Sequence, residues 1–250
     1  MDNQTIIEAT DLTKIYGRQT AVDNLTFQVE EGEIFGFLGP NGAGKTTTLL
    51  MLLGLSQPSD GAAKVCGLDP IRQAREVKRL VGYLPEDVGF YGDLDAVQSL
   101  EYIAHLNGIE KNEAFKKIRE ALEVVGLSED AHKKVGVYSR GMSQRLGIAE
   151  VLIKDPKVMF LDEPTLGLDP DGALRVIDLI QSLNRERKIT VLISSHNLVQ
   201  VQKISHRVGI MIKGKMVAEG SVEALAKEKF GVGEEKYNLE EVYMKYFQEV

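Results

Sequence analysis

The stretch Gly39-Pro-Asn-Gly-Ala-Gly-Lys45-Thr46 constrains this chain more than any other. It fits the pattern G-x4-G-K-[ST] in full and has the flanks that the pattern requires. The apolar run 34–38, Ile-Phe-Gly-Phe-Leu, precedes it, and the Leu-rich segment 45–55 follows, ended by Gly54 and Pro58. A buried strand, a glycine-rich turn and a helix in that order make a cradle for phosphate. Glycines let backbone N–H groups converge on phosphate oxygens with no Cβ in the way. The helix beginning near Lys45 turns the positive end of its dipole toward the same oxygens. Lys45 adds a cation for the β- and γ-phosphates, and the Thr46 hydroxyl can ligate Mg²⁺. Gly39, Pro40, Asn41, Gly42, Ala43, Gly44, Lys45, Thr46 and Thr47 are therefore the candidate nucleotide-binding segment.

A second apolar run, 158–161, ends in Asp162-Glu163-Pro164. Alone, this suits a strand that ends in a solvated acidic turn. Beside a phosphate loop it reads as a metal and water site, with Asp162 near Mg²⁺ and Glu163 able to orient and deprotonate an attacking water. A third run, 189–194, leads to Ser195 and His196, a polar group able to reach a γ-phosphate. His105, His132 and His206 lack such a position and read as ordinary histidines.

Composition excludes other classes. The 250 residues carry a net charge of −7 with no Lys/Arg-rich run, which disfavours a general nucleic-acid binder. A single cysteine, Cys66, allows neither a disulfide framework nor a structural zinc site, and reads as a buried or strand-end thiol. No run approaches the roughly 18 apolar residues of a membrane helix, and the first residues lack the basic and apolar regions of a signal peptide. A cytoplasmic location follows as the expectation, with any membrane role lent by a partner.

Along the chain, β patterns around Ile6, Ile7, Ala9, Phe27 and Val29 lead into the phosphate loop. Residues 94–125 are helical in period, with Phe115, Ile118, Leu122 and Val125 as an apolar stripe. After Pro156, strands alternate with helices: 158–161, a helix near 173–184, 189–194, then 208–212 and a hairpin turning at Gly214. This predicts an α/β fold with an inserted helical part. In the tail, Asn238 and Glu241 form a capping box, and Leu239, Val242, Tyr243, Tyr246 and Phe247 an apolar stripe, read as a short helix docked on the body.

The linked set 39–46, Ser139-Arg-Gly-Met-Ser-Gln144, Leu161-Asp-Glu-Pro164, Leu168-Asp169 and Ser195-His196 resembles, in order and spacing, the ATPase subunit of an ABC transporter. The resemblance spans nearly the whole chain. It implies a P-loop NTPase (RecA-like) core with an N-terminal antiparallel β part and an inserted α-helical subdomain. Residues 1–226 would form the cassette, with the subdomain at about 88–152, and 227–250 a helical tail.

It further implies ATP and Mg²⁺ as ligands and ATP hydrolysis as the reaction. The expected partners are a second ATPase subunit, identical or not, and an integral membrane permease in a separate chain, at the inner face of the membrane. No nucleic acid is expected. Carried over residue by residue, Tyr16 resembles the aromatic that stacks on adenine. Thr46 and Asp162 would hold Mg²⁺, Glu163 would be the base, and His196 would contact the γ-phosphate. Asp169 resembles an aspartate that links the subunits.

The family signature usually reads Leu-Ser-Gly-Gly-Gln, whereas here it is Tyr138-Ser139-Arg140-Gly141-Met142. Ser139 and Gly141 are retained and would complete the ATP site of the opposite subunit. Glu86 stands where many relatives carry Gln, near Mg²⁺ and the water, and Val88, Phe90 and Tyr91 beside it suit contact with the permease. Both variants resemble the exporter branch. The alternative is a soluble ABC ATPase acting on ribosomes or DNA. Such proteins usually carry two cassettes or long insertions, and neither is seen here. A small-molecule kinase is weaker still, because the Asp162-Glu163 pair implies water as the acceptor.

Overall fold

The computed structural model describes residues 4–230 and 239–248. The chain begins with two long strands, β1 (Thr5–Tyr16) and β2 (Gln19–Glu30), then β3 (Ile34–Leu38) and α1 (Lys45–Leu52). Next come β4 (Asp60–Val65), α2 (Ala74–Leu80), β5 (Val81–Leu84), α3 (Ala96–Leu106), α4 (Lys111–Val124) and α5 (Arg140–Leu152). The alternating part follows: β6 (Val158–Asp162), α6 (Pro170–Arg187), β7 (Thr190–Ser195), α7 (Leu198–Ile204), β8 (Arg207–Ile212) and β9 (Lys215–Gly220). Two helices close it, α8 (Val222–Phe230) and α9 (Leu239–Gln248).

The apolar runs become strands because both of their faces are covered. Phe35, Phe37, Phe160 and Leu192 point to one side, where they meet β1, β2 and α1 through Leu12, Leu25, Phe27, Leu49 and Leu52. Ile34, Met159, Leu161, Val191 and Ile193 point to the other, against α5 and α6. Phe27 packs edge-on against Phe37 at 4.9 Å between centroids, which joins the two sheets. Each such fully buried side chain contributes about 1.5–3 kcal/mol.

The main sheet has the order β5-β6-β7-β3-β8-β9, parallel except for the β8–β9 hairpin, and the small sheet β2-β1-β4 is antiparallel. The hairpin turns at Lys213 and Gly214, both with positive φ, as its sequence suggests. Among the described residues, no helix is long and apolar enough to cross a membrane.

Several expectations are corrected. The helix after the phosphate loop ends at Leu52 rather than Leu55, because Gly54 takes the left-handed conformation and its N–H closes on the Met51 carbonyl. Phe115 does not belong to the buried stripe of α4. The covered face runs through Ala114, Ile118, Ala121 and Leu122, and Phe115, one position around the helix, is 62% exposed. Strands β4 and β5 carry no clear sequence signal, the first because its residues are mostly exposed and the second because it is four residues long. The residue boundary at 226 falls inside α8. In the tail, Asn238 lies outside the described residues, while α9 buries Leu239, Val242 and Tyr246 against α7 and α8.

Candidate active site

Three neighbouring parallel strands, β6, β7 and β3, end on the same edge of the main sheet, and each delivers one part of the site. Ligand sites in open α/β sheets form at the carboxyl ends of strands, and this edge supplies that position. From β3 the chain turns through the glycine-rich loop into α1. Gly44, at the N-cap, has φ +101° and brings no side-chain cap, which leaves the first N–H groups of α1 for an outside acceptor.

The sequence explains the loop glycines by phosphate alone, but the fold adds a second cause. A Cβ on Gly39 would stand 2.3 Å from the Met211 carbonyl oxygen, and one on Gly44 would stand 2.5 Å from that of Ala21. The loop is thus pressed between β2 and β8 as well as open to a ligand. Lys45 is buried, and its Nζ donates to the carbonyls of Gly39 at 2.7 Å and Pro40 at 3.3 Å. Thr46 is exposed at the start of α1.

At the end of β6, Asp162 is 1% exposed and accepts a hydrogen bond from the Ser194 hydroxyl. The two are register partners across β6 and β7, which is why they meet. Glu163, next in line, holds φ at +47°, a left-handed conformation that costs a non-glycine residue on the order of 1 kcal/mol. Its N–H is held by the Ser194 carbonyl at 3.0 Å. This turn aims the carboxylate inward. One oxygen lies 3.5 Å from Lys45 Nζ, and the other is 2.9 Å from His196 Nδ1 and accepts the His196 backbone N–H at 3.3 Å. Glu163 thereby joins the three strand ends. Its Oε1 is buried with no hydrogen-bond partner, only the lysine charge.

Tyr83 on β5 carries no motif in the sequence, yet its phenol feels the charges of two expected metal ligands. Burial first, then the charges of Asp162 and Glu86, push its phenol up to about 12, so it stays protonated at neutral pH. Glu86 itself is exposed, just past β5. Among the described residues, no group of three or more His, Cys, Asp or Glu side chains can hold a metal unaided. Thr46, Asp162 and Glu86 offer a hydroxyl and two carboxylates, oxygen donors of the kind that Mg²⁺ takes.

Ser139 is the N-cap of α5, where its hydroxyl accepts the Met142 N–H at 3.2 Å. Gly141 faces Leu168 and Gly172 at the start of α6, and Asp169 caps α6 without a side-chain hydrogen bond. Among the described residues, neither Ser139 nor Gly141 hydrogen-bonds the phosphate loop of its own chain. Arg140 lies over Gly167, with its Nη2 3.6 Å from Asp87. Tyr16 ends β1 half exposed, with Lys14 Nζ 4.8 Å from its ring centre and its hydroxyl 3.2 Å from that of Ser56. His206 is structural, its Nδ1 accepting the Ile34 N–H at 2.9 Å. Cys66 is half buried after β4, and burial pushes its thiol up.

Comparison with known proteins agrees with this geometry. The family model described as ABC transporter matches residues 22–166. A bacitracin transport ATP-binding protein of Bacillus licheniformis is 47% identical over 223 residues, 89% of this chain and 72% of that protein. A Nod factor export ATP-binding protein of Paraburkholderia xenovorans is 36% identical over 228 residues, 91% of this chain and 75% of that protein. A solved ATP-binding subunit of an ABC transporter superposes with a TM-score of 0.84 at 26% identity, covering 97% of this chain and all (100%) of that one.

Proposed function

The chain belongs to the ABC transporter family as an ATP-binding subunit, and on that basis we propose how its own residues bind and hydrolyse ATP to drive transport. The observation that carries the proposal is the Glu163 carboxylate, held between Lys45 and His196 at the meeting of three strand ends.

The uncapped start of α1 and the N–H groups of the loop receive the β- and γ-phosphates. Lys45 exchanges its carbonyl partners for phosphate oxygens, a stronger charge-assisted bond. Tyr16 offers its ring to the adenine. Thr46, Asp162 and Glu86 are the residues that would hold Mg²⁺, which would supply charge neutralisation to the phosphates. Glu163 accepts a proton from the attacking water, whose oxygen bonds to the γ-phosphorus while the bond to the ADP oxygen breaks. His196 keeps the carboxylate aimed and would contact the γ-phosphate. Two such chains, identical or similar, would close head-to-tail, each offering Ser139 and Gly141 to the nucleotide of the other.

A permease in a separate chain would bind near Glu86, Val88, Phe90 and Tyr91 and hold the subunit at the inner face of the membrane. Tyr91 is 67% exposed and packs edge-on against Tyr102, an apolar surface suited to that contact. We assign export as the direction, in keeping with relatives named for bacitracin transport and Nod factor export. The test is Glu163→Gln. ATP should still bind, turnover should vanish, and an ATP-trapped dimer should appear by sedimentation. Hydrolysis at the wild-type rate would remove Glu163 from the role of base.

A further inference from the structure

Helix α7 begins two residues after His196 and spans only seven residues. So short a helix does not hold itself and takes its position from what it packs on. Val201 and Ile204 are buried beneath it, Lys203 pairs with Asp178 of α6 on the exposed side, and Gln202 accepts the N–H of Leu239 from α9. Neither of these two side-chain bonds, among the described residues, reaches the turn that carries Glu163. One side chain does: Gln200 Oε1 accepts a hydrogen bond from the hydroxyl of Thr165.

Thr165 sits two residues beyond Glu163 and is 9% exposed, and Gln200 sits about one helical turn beyond His196. The same two segments are therefore bridged twice. Glu163 to His196 is the bridge at the chemistry, between groups that a nucleotide will contact. Thr165 to Gln200 is a bridge behind it, which no ligand needs to displace. The turn 163–168 is folded on itself, with Leu166 N–H on the Glu163 carbonyl at 3.0 Å and Leu168 N–H on that of Thr165 at 3.2 Å. A tie at Thr165 is thus a tie on the whole turn, including the left-handed Glu163, a conformation that persists only where neighbours enforce it.

We infer that Gln200 is a positioning residue for hydrolysis, and that through Thr165 it locks α7 to the catalytic turn and keeps the His196 imidazole against Glu163. The inference deepens the proposed reaction and rests on it for the roles of those two residues. Losing the lock leaves the ATP cradle on β3 and α1 untouched. It loosens the angle between base and imidazole, and small misplacements of that kind lower turnover rather than binding.

The experiment compares Gln200→Ala, Thr165→Val, the double variant and Gln200→Glu, whose carboxylate can still accept from Thr165. Turnover in Gln200→Ala and Thr165→Val should fall about tenfold while KM for ATP stays within about twofold. The double variant should be no slower than either single one, and Gln200→Glu should recover most of the rate. Unchanged turnover, a loss of ATP affinity in step with turnover, or a Gln200→Glu variant as slow as Gln200→Ala would each overturn the inference.

A second reading uses nucleotide-free protein labelled with nitrogen-15. Gln200→Ala should move the His196 Nδ1 resonance and Gln200→Glu should return it, and an unmoved resonance also counts against the lock. If the wild-type chain hydrolysed no ATP, the proposed reaction would fall, and the His196 resonance would still decide the role of Gln200.

Discussion

Lys45 and Glu163 face each other across the strand ends, Nζ to Oε1 at 3.5 Å, with side chains only 6% and 8% exposed. Each charge is tolerable in so dry a place because the other is there, and because the Gly39 carbonyl accepts from Lys45 and His196 meets the other oxygen of Glu163. The pair links binding to chemistry: the cation meant for phosphate is also the counter-ion of the proposed base.

Replacing one member should therefore cost more than the contact is worth. Lys45→Met leaves the Glu163 charge buried without its cation, and should lower unfolding free energy by about 3–5 kcal/mol in urea titrations of the free protein. ATP affinity should fall by about 10- to 100-fold in calorimetry, the value of one or two charge-assisted bonds. Adding Glu163→Gln should restore most of the stability and none of the affinity. Near-normal ATP binding in Lys45→Met would contradict the phosphate-loop reading.

Tyr83 gives a prediction in alkaline solution. Its folded value, about 12, lies above the ordinary phenol value, so the fold favours the neutral form. The stability this supplies is complete below pH 10 and is lost as pH rises from 10 to 12. Wild-type protein should lose stability more steeply than Tyr83→Phe across that window, by chemical unfolding at stepped pH. Parallel curves would mean that neither burial nor the charges of Asp162 and Glu86 raise the phenol.

Arg207 is the joint between the two sheets. It donates to both oxygens of Glu33, at 3.2 and 3.3 Å, to the Gln28 carbonyl at 3.3 Å, and to Glu219 on β9. Its guanidinium also lies 5.5 Å from the Phe35 ring centre. Glu33 is buried, and burial raises the carboxyl of Glu219, so both rely on this one cation. Arg207→Ala should cost about 2–3 kcal/mol and lower Tm by roughly 5–10 °C in calorimetry. Nucleotide affinity should be unchanged, since the cluster lies away from the strand ends that carry the site.

The parts of the site that were legible in sequence share one property: each follows directly on an apolar run. Gly39 to Thr46, Asp162-Glu163 and His196 were found because the strand before each is continuous and ends abruptly in polar residues. Tyr83 escaped because β5 is only four residues long and Tyr83 lies within it rather than at a polar end. Phe115 falls off the covered face because spacing gives a helical face but not its centre, and neighbouring Ala114 is buried instead.

Sequence by itself determined the loop and the ends of the three strands that carry the site, since these are written in local period, in glycine positions and in abrupt changes of polarity. Tertiary structure alone decided which of these side chains meet. Asp162 finds Ser194 because β6 and β7 pair in that register, and Thr165 finds Gln200 because α7 lies beside the catalytic turn. A period of two or of 3.6 residues says which face a side chain takes. It does not say which partner, more than 30 residues along the chain, will stand opposite, because that choice belongs to the packing of the whole core.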